Sequence, residues 1–377
     1  MKNCTGIKVF LLIIVFFGSN VLSAEDGYRL WLRYDKIDNS ELLLAYKTAL
    51  SQVVVEGTSE TMMAVREEIK AGLSGLLGTE INFADKPLPG KVLIVGTPQN
   101  SKLIATLHFS EKLNELGNEG FYITKIKTEK FEAIIVTANT DVGVLYGTFH
   151  FLQLMQTHQS LENLDLKSVP KIRHRLLNHW DNLDRKVERG YAGFSLWQWS
   201  TLPDYIDPRY RDYARANASV GINGTVLTNV NANAQVLAPE YLEKVAALAN
   251  VFRPFGLKVY LTARFSAPIE IGGLKTADPL DEKVIDWWNK KADEVYAYIP
   301  DFGGFLVKAN SEGQPGPQNY GRSHADGANL LARALKPHGG IVMWRAFVYS
   351  NEEPEDRAKQ AYITNSNPST GNSKIMY

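Results

Sequence analysis

The chain has 377 residues, and its 41 lysines and arginines balance 41 aspartates and glutamates, so it carries no formal net charge. A balanced charge gives no electrostatic footprint for nucleic acid or for an anionic membrane surface, and we expect neither as a partner. At ~150 residues per domain, the length indicates two or three domains.

Residues 1–24 form a predicted export signal. Lys2 and Lys8 supply positive charge, and the apolar run 9–17 is too short to span a bilayer. The chain's one cysteine, Cys4, lies inside this segment. We therefore expect an exported protein, periplasmic or extracellular, that uses no disulfide and depends on the size of its hydrophobic core. Beyond this segment no apolar run approaches ~20 residues, so no membrane span is predicted.

Residues 25–165 have the pattern of a small N-terminal α/β domain. The segment "GYRLWLRY" alternates like a strand, and residues 40–52 and 58–76 have helical spacing. "KVLIVGT" indicates a buried strand, "FYITKIKTEKFEAIIVTAN" a hairpin, and "TDVGVLYGTFHFLQLMQ" a helix that begins with a Thr-Asp cap. No candidate nucleophile, metal cluster or phosphate loop stands out, so we expect a supporting role.

Residues 166–362 repeat an apolar, strand-like segment every 35 to 50 residues, with helix-like segments between. These segments are 176–181, 224–230, 257–264, 304–310 and 340–349. The alternation favours parallel strands, and the first strand lacks the G-x-G-x-x-G of a dinucleotide site. A complete barrel has eight strands, so we expect an incomplete (β/α)8 TIM barrel. Residues 363–377 show no periodicity and are expected to be disordered.

The segment "LVKANSEGQPGPQNYGR" places a lysine and a carboxylate just after one of these strands. In an extended chain Lys308, Asn310 and Glu312 share a face until the turn begins, while Phe305 and Val307 face the other way, toward the helices. One interpretation is a simple surface ion pair. The rigid "QPGP" turn favours another, in which Lys308 and Glu312 meet at the mouth of the barrel.

Two more strand ends carry polar groups. In "GGIVMWRAFVY", Arg345 shares a face with Ile341 and Met343, and a buried arginine needs an anionic partner, either an internal carboxylate or a ligand. "NHWDNLD" combines Trp180 and Asp181 with amides, a composition typical of sugar sites as well as of turns. The asparagines of "LTNVNANAQ" also suit turns.

These strand ends predict a pocket with one acid, two cations and an aromatic wall. This favours a glycosidase whose substrate carries a carboxylate, with Glu312 as the general acid if its pKa is raised by burial. Lys308 nearby lowers that pKa unless a substrate carboxylate neutralises the lysine. No metal-ligand spacing such as H-E-x-x-H occurs, and we expect neither a metal nor another cofactor.

Long motifs resemble the α-glucuronidases of glycoside hydrolase family 67. They are "EDGYRLWLRY", "NHWDNLDRKVERGYAGFSLW", "LVKANSEGQPGPQNYGRSHADGANLLARAL", "GGIVMWRAFVY" and "EDRAKQAY", within residues 25–362. The resemblance implies an enzyme, often a homodimer, that removes glucuronic acid or its 4-O-methyl form from α-1,2-substituted xylo-oligosaccharides by inversion. It implies Glu312 as general acid, Lys308 and Arg345 as carboxylate ligands, and Trp180 and Val230 near the 4-position of the sugar.

The resemblance also implies two candidate base carboxylates on later strands, and the chain shows no counterpart after "DRAKQAY". An inverting enzyme needs such a carboxylate, ~6.5–9.5 Å from the acid, to activate water. The sequence therefore predicts a truncated chain with little or no hydrolysis of its own. The alternatives left open are a non-catalytic module that binds uronic acids and a hexosaminidase-like enzyme. The latter needs an Asp-Glu pair that "NSEG" does not supply.

Overall fold

The computed structural model describes residues 26–107, 109–231, 233–311 and 313–345, with the backbone of 375–376. The strands are β1 Gln52–Val55, β2 Gly90–Gly96, β3 Phe121–Lys127, β4 Phe131–Ala138, β5 Asp165–Ser168, β6 Leu176–Asn178, β7 Gly224–Val226, β8 Lys258–Thr262, β9 Gly304–Val307, β10 Ile341–Trp344 and β11 Ile375–Met376. The helices are α1 Ser40–Ala49, α2 Glu60–Leu77, α3 Lys102–Thr106, α4 Ser110–Asn114, α5 Asp141–Gln156, α6 Pro208–Ser219, α7 Pro239–Phe252, α8 Ala267–Glu270, α9 Glu282–Tyr298 and α10 His324–Leu335. Within these ranges no helix is both long and apolar enough to cross a membrane.

The N-terminal part is a mixed five-stranded sheet in the order β1-β2-β4-β3-β5. β1, β2 and β4 run parallel, and β3 pairs antiparallel with β4 as the predicted hairpin. The helices α2 and α5 pack against each other, and α5 also packs on β4. Caps fix both helices: Ser59 accepts a hydrogen bond from the amide of Met62, and Thr140 accepts one from the amide of Gly143.

The strand predicted for "GYRLWLRY" is wrong. The segment forms turns, and both Leu30 and Tyr34 have positive φ. Its alternating residues contact other elements instead of a neighbouring strand. Trp31 Nε1 donates to Ser219 Oγ at 2.8 Å, and the Tyr34 hydroxyl donates to Glu68 Oε1 at 2.5 Å. Tertiary contacts therefore override the local pattern.

The second sheet is parallel and has the order β11-β10-β9-β8-β7-β6. The strands β6 to β10 occur in chain order, each beside the next, as in part of a (β/α) barrel. This confirms an incomplete barrel after a small α/β domain. The strands β6 to β9 are shorter than the sequence predicts, because the residues at their predicted carboxyl ends belong to loops. Residues 346–349 of the last predicted strand lie outside the described residues.

The two faces of this sheet differ. Phe305 and Val307 point outward, where the ring of Phe305 meets Trp288 of α9 with centroids 6.0 Å apart. The inner face carries a small apolar cluster that includes Val226, Val230, Tyr260, Leu306 and Ile341. The orientation predicted for Phe305 and Val307 is confirmed. By the same alternation, residues 308 and 345 follow on the inner side.

Gly304 permits β9 and β10 to lie at their observed spacing. Its φ is +139°, and a Cβ there would lie 1.9 Å from the carbonyl oxygen of Ile341. A larger residue would push β9 and β10 apart where their pairing begins. Lys308 and Arg345 follow the other end of the same two strands.

The two sheets share one large hydrophobic core, and ion pairs join them at its edge. Glu68 of α2 is 4% exposed and accepts bonds from Arg215 of α6 at 2.6 and 2.8 Å. Arg175, just before β6, donates to Glu119 at 2.6 Å. The N-terminal domain therefore contacts the barrel through helices and loops, with α2 bonded to α6 and the loop before β3 bonded to the segment before β6.

Candidate functional site

The carboxyl ends of β6, β7 and β8 surround a cavity of about 470 Å³, within the usual ~300–1,000 Å³ range of small-molecule sites. Parallel strands deliver their following loops to the same edge of the sheet, which is why residues distant in sequence meet here. Each loop contributes polar side chains to the lining: Asp181 and Asp184 after β6, Asn229 and Asn231 after β7, and Arg264 and Glu270 after β8.

Lys308 lies next to this cavity. The residue is 3% exposed, and its Nζ donates to Oδ1 of Asn231 at 2.7 Å. Asn231 is itself positioned by Asn229, whose Oδ1 accepts from its amide at 2.9 Å. A buried ammonium must be hydrogen-bonded to remain charged at low cost, and the amide oxygen provides this without adding a negative charge.

Arg345 lies beside Lys308. Trp344 pairs with Val307 in register, and the amide of Arg345 donates to the carbonyl of Val307 at 3.0 Å. Adjacent strands are ~4.8 Å apart, so these cationic residues leave neighbouring strand ends on the same side of the sheet. The side chain is half-buried, and within the described ranges its guanidinium makes no hydrogen bond or ion pair.

Glu312 lies outside the described residues, whereas the residues before and after it are described. The amide of Gln314 donates to the carbonyl of Ser311 at 3.0 Å, and Ser311 is 2% exposed. Asn310 has φ +51°, so the extended alternation that predicts a shared face ends there. Gly316 lies against Asn310, where a Cβ would be 2.6 Å from the backbone nitrogen. The turn after β9 is therefore closely packed.

Trp180 and Asp181 differ in accessibility. Trp180 is 39% exposed, whereas Asp181 is 4% exposed. The Asp181 Oδ2 accepts a hydrogen bond of 2.5 Å from Ser195 Oγ, and Oδ1 lies 3.7 Å from Nδ1 of His179. Trp180 is thus exposed but is not among the residues that line the cavity, while Asp181 lines the cavity with a carboxylate that also fixes the loop.

Val230 occupies the apolar cluster on the inner face, where it is 1% exposed and shares the cluster with Leu306. It lies between Asn229 and Asn231, which line the cavity.

The asparagines after β7 have different roles. Asn233 stabilises a turn, as the sequence suggests, since its Oδ1 accepts a hydrogen bond from the amide of Gln235 at 2.9 Å. The side chain of Asn231 instead bonds to Lys308.

A network that no sequence pattern predicted borders the turn after β9. Arg264 donates from Nε to Glu270 Oε1 at 2.5 Å and from Nη1 to Gln314 Oε1 at 2.9 Å. Ser266 Oγ also donates to Glu270. Arg264 is polar and follows an apolar strand, so the criterion that selected Arg345 also fits it.

Glu188 lies beside Asn229, a residue that lines the cavity, and no sequence pattern indicates it. Its φ is +54°, its side chain is 8% exposed, and Asn229 Nδ2 lies 3.4 Å from its Oε2. Its position depends on the path of the loop after β6. Among the residues that the structure describes, no three His, Cys, Asp or Glu side chains are grouped as for a metal ion.

Comparisons with known proteins identify the family. The model of the glycosyl hydrolase family 67 N-terminus matches residues 30–151, and that of the family 67 middle domain matches residues 154–370. The chain belongs to glycoside hydrolase family 67. It is 38% identical over 352 residues to the probable alpha-glucuronidase A of Aspergillus terreus, covering 92% of this chain and 40% of that protein.

Another relative matches a similar share of the chain. The alpha-glucuronidase A of Emericella nidulans is 37% identical over 354 residues, covering 92% of this chain and 41% of the relative. This family 67 chain therefore spans about 40% of the length of these curated relatives. Among solved structures, a GH138 enzyme targeting pectin rhamnogalacturonan II aligns with 16% identity and a TM-score of 0.49, over 78% of this chain and 35% of that one.

Proposed function

We propose that this chain recognises glucuronic acid, or its 4-O-methyl form, at the α-1,2 branches of xylo-oligosaccharides, as part of α-glucuronidase action in xylan breakdown. The observation that carries the proposal is the pair of cationic residues at the ends of β9 and β10. A guanidinium binds a carboxylate through two parallel hydrogen bonds, and an adjacent ammonium adds a third. The relatives' name, alpha-glucuronidase A, supports the same substrate class.

The proposed roles follow from position. Glu312, in the turn between Ser311 and Gln314, protonates the leaving oxygen. Lys308 and Arg345 hold the uronic carboxylate, and the exposed face of Trp180 offers an apolar wall to the sugar ring. Hydrolysis by inversion also requires a carboxylate that activates water. Binding and hydrolysis are therefore separate claims and need separate measurements.

Calorimetric titration with D-glucuronic acid tests the binding claim. We expect heat of binding that is lost in Lys308→Ala and in Arg345→Ala and retained in Lys283→Ala, an exposed lysine on α9. D-glucose, which lacks the carboxylate, should bind at least tenfold more weakly, since hydrogen bonds to charged groups contribute ~1.5–3 kcal/mol. Absence of heat with the wild-type chain, or heat that persists in both alanine variants, would contradict the proposal.

Release of glucuronic acid from its α-1,2-linked disaccharide with xylose tests the catalytic claim. Release that disappears in Glu312→Gln would assign catalysis to this chain. Binding without release would favour the second function left open by the sequence, a non-catalytic module that binds uronic acids. The stereochemistry of the released sugar, read by NMR during the first turnovers, separates inversion from retention.

We also propose export of the chain by the segment 1–24, to the periplasm or the medium. Its support is the order of basic and apolar residues in that segment. N-terminal sequencing of the mature protein tests this, and a start at Met1 would contradict it. Xylan-derived oligosaccharides are then the expected partners, and sedimentation can test for a homodimer.

A further inference from the structure

The N-terminal segment that begins with "GYRLWLRY" borders a second cavity. The segment forms turns rather than a strand, yet its side chains still alternate in burial. Leu32 and Tyr34 are buried in the core. Trp31, Arg33 and Asp35 are exposed and line a cavity of about 380 Å³, within the ~300–1,000 Å³ range of small-molecule sites. The proposed function gives this cavity no role.

This cavity lies away from the one at the carboxyl ends of β6, β7 and β8. Trp31 Nε1 donates to Ser219 Oγ at 2.8 Å, and Ser219 is the last residue of α6. Since α6 leads into β7, which begins at Gly224, the end of this helix lies near the amino end of that strand. The two cavities share no lining residue, so each can be occupied independently of the other.

Trp31 is held at its edge, yet half of its surface remains accessible. Ser219 Oγ accepts from the indole and itself donates to the carbonyl of Ala216 at 2.7 Å. Gln156 Nε2 donates to the carbonyl of Trp31 at 2.9 Å. Trp31 is nevertheless 50% exposed, and among the residues that the structure describes no aromatic ring or cation stacks on the indole. A ring fixed in this way offers a flat apolar surface with little loss of side-chain freedom on binding.

The polar groups around the indole are balanced in charge. The cavity is lined by two basic and two acidic side chains, which are Arg33, Lys36, Asp35 and Asp38. Arg33 Nε lies 3.7 Å from Asp35 Oδ2. Such a lining supplies hydrogen-bond donors and acceptors without a net charge, so it favours a neutral ligand rich in hydroxyl groups over an anion. In this it differs from the pair of cationic residues at the ends of β9 and β10.

We propose that Trp31 and these polar groups form a second carbohydrate site, which binds unbranched xylose backbone and holds the protein on the polysaccharide. The apolar face of a pyranose ring stacks on the indole, and its hydroxyl groups bond to the surrounding carboxylates and cations. The preference for a neutral sugar rests on the cavity alone, whereas the choice of xylose rests on the proposed function. The site needs no uronic acid and contributes no group to hydrolysis.

Xylohexaose, an unbranched and neutral oligomer, tests the site when its binding is read at Trp31 itself. In isotope-labelled protein the indole Nε1–H signal of Trp31 is assigned by its absence in Trp31→Tyr. That signal should shift on addition of xylohexaose, with a dissociation constant of about 1 mM or tighter. D-glucuronic acid should leave the signal in place.

Variants separate the role of the ring from that of the fold. The affinity for xylohexaose, read by NMR at the backbone amide of Asp35 in every variant, should fall about tenfold in Trp31→Ala and no more than about threefold in Trp31→Tyr, which keeps a flat ring. It should stay unchanged in Tyr205→Ala, which removes a similarly exposed ring from the loop after β6. Urea unfolding shows whether each variant is folded. Should Trp31→Ala not fold, the shift of the wild-type indole signal decides the test.

Several outcomes would overturn this assignment. They are an indole signal that stays in place at about 10 mM xylohexaose, tenfold above that dissociation constant, an equal affinity in folded Trp31→Ala, and an equal shift with D-glucuronic acid. A concentration-dependent dimer that Trp31→Ala abolishes would also overturn it, because this face would then be an interface between two copies of the chain. Failure of the wild-type chain to bind glucuronic acid in calorimetry would instead contradict the proposed function, and xylohexaose, which carries no uronic acid, tests the Trp31 site independently of that result.

Discussion

The Nζ of Lys308 lies 2.7 Å from Oδ1 of Asn231, so the loop after β7 supports a lysine at the end of β9, across the intervening strand β8. A neutral acceptor keeps the ammonium hydrogen-bonded without cancelling its charge. A carboxylate at position 231 would instead place a negative charge beside this ammonium.

Replacement of Asn231 by aspartate is predicted to weaken glucuronate binding at least tenfold at pH 7. The new carboxylate would form an ion pair with Lys308 and repel the uronic carboxylate. Calorimetry measures the affinity, and Asn289→Asp on the exposed face of α9 provides the same chemical change away from the site. Equal affinities of Asn231→Asp and the wild-type chain would show that Lys308 does not contact the ligand carboxylate.

Loss of the Arg264 guanidinium is predicted to loosen the turn that carries Glu312. In Arg264→Met the Gln314 side chain loses its partner, and hydrogen exchange at the Gln314 amide should accelerate about tenfold or more. Arg253→Met is the matched control, because Arg253 also bonds to a carboxylate, Asp301, at the opposite end of the sheet. Unchanged exchange in Arg264→Met would mean that the Ser311–Gln314 contact alone holds the turn.

The sequence predicted the strands of the partial barrel because continuous apolar runs were followed by polar residues at each carboxyl end. The same rule selected Lys308, Arg345 and Trp180 as candidates, since a side chain's place at a strand end is a local property. The bonds between Arg264 and Gln314 and between Lys308 and Asn231 join residues 50 and 77 positions apart. No local pattern specifies such pairs. The turns at 27–34 were missed because docking on α2 and α6 replaced strand pairing.

Replacement of Gly304 by alanine is predicted to destabilise the chain by about 3 kcal/mol or more, since overpacking and an unfavourable φ act together. The added Cβ would lie 1.9 Å from the Ile341 carbonyl oxygen. Gly273→Ala isolates the backbone contribution, because Gly273 has φ +69° with no atom within 4 Å of the added Cβ, and should cost only about 1–2 kcal/mol. Urea unfolding measures both, and equal losses would refute the role of close strand approach.

His324 should make the fold sensitive to acid. It begins α10, is 8% exposed, and its Nδ1 accepts from Trp344 Nε1 at 3.2 Å. Burial lowers the pKa of His324 from 6.5 to about 4. The native state therefore keeps the ring neutral, whereas the unfolded chain takes up a proton below pH 6.5. The resulting stability is present above pH 6.5 and is lost as the pH falls toward 4, by about 3 kcal/mol in total.

The test compares the free energy of unfolding at pH 7 and pH 4 in the wild-type chain and in His324→Asn, which keeps an acceptor for the Trp344 indole. Carboxylates also contribute to the total change, so the informative quantity is the difference between the two chains. We expect the variant to lose about 3 kcal/mol less than the wild-type chain between these pH values. His158→Asn, at an exposed position, should follow the wild-type curve. Parallel pH curves for His324→Asn and the wild-type chain would show that burial does not hold the ring neutral.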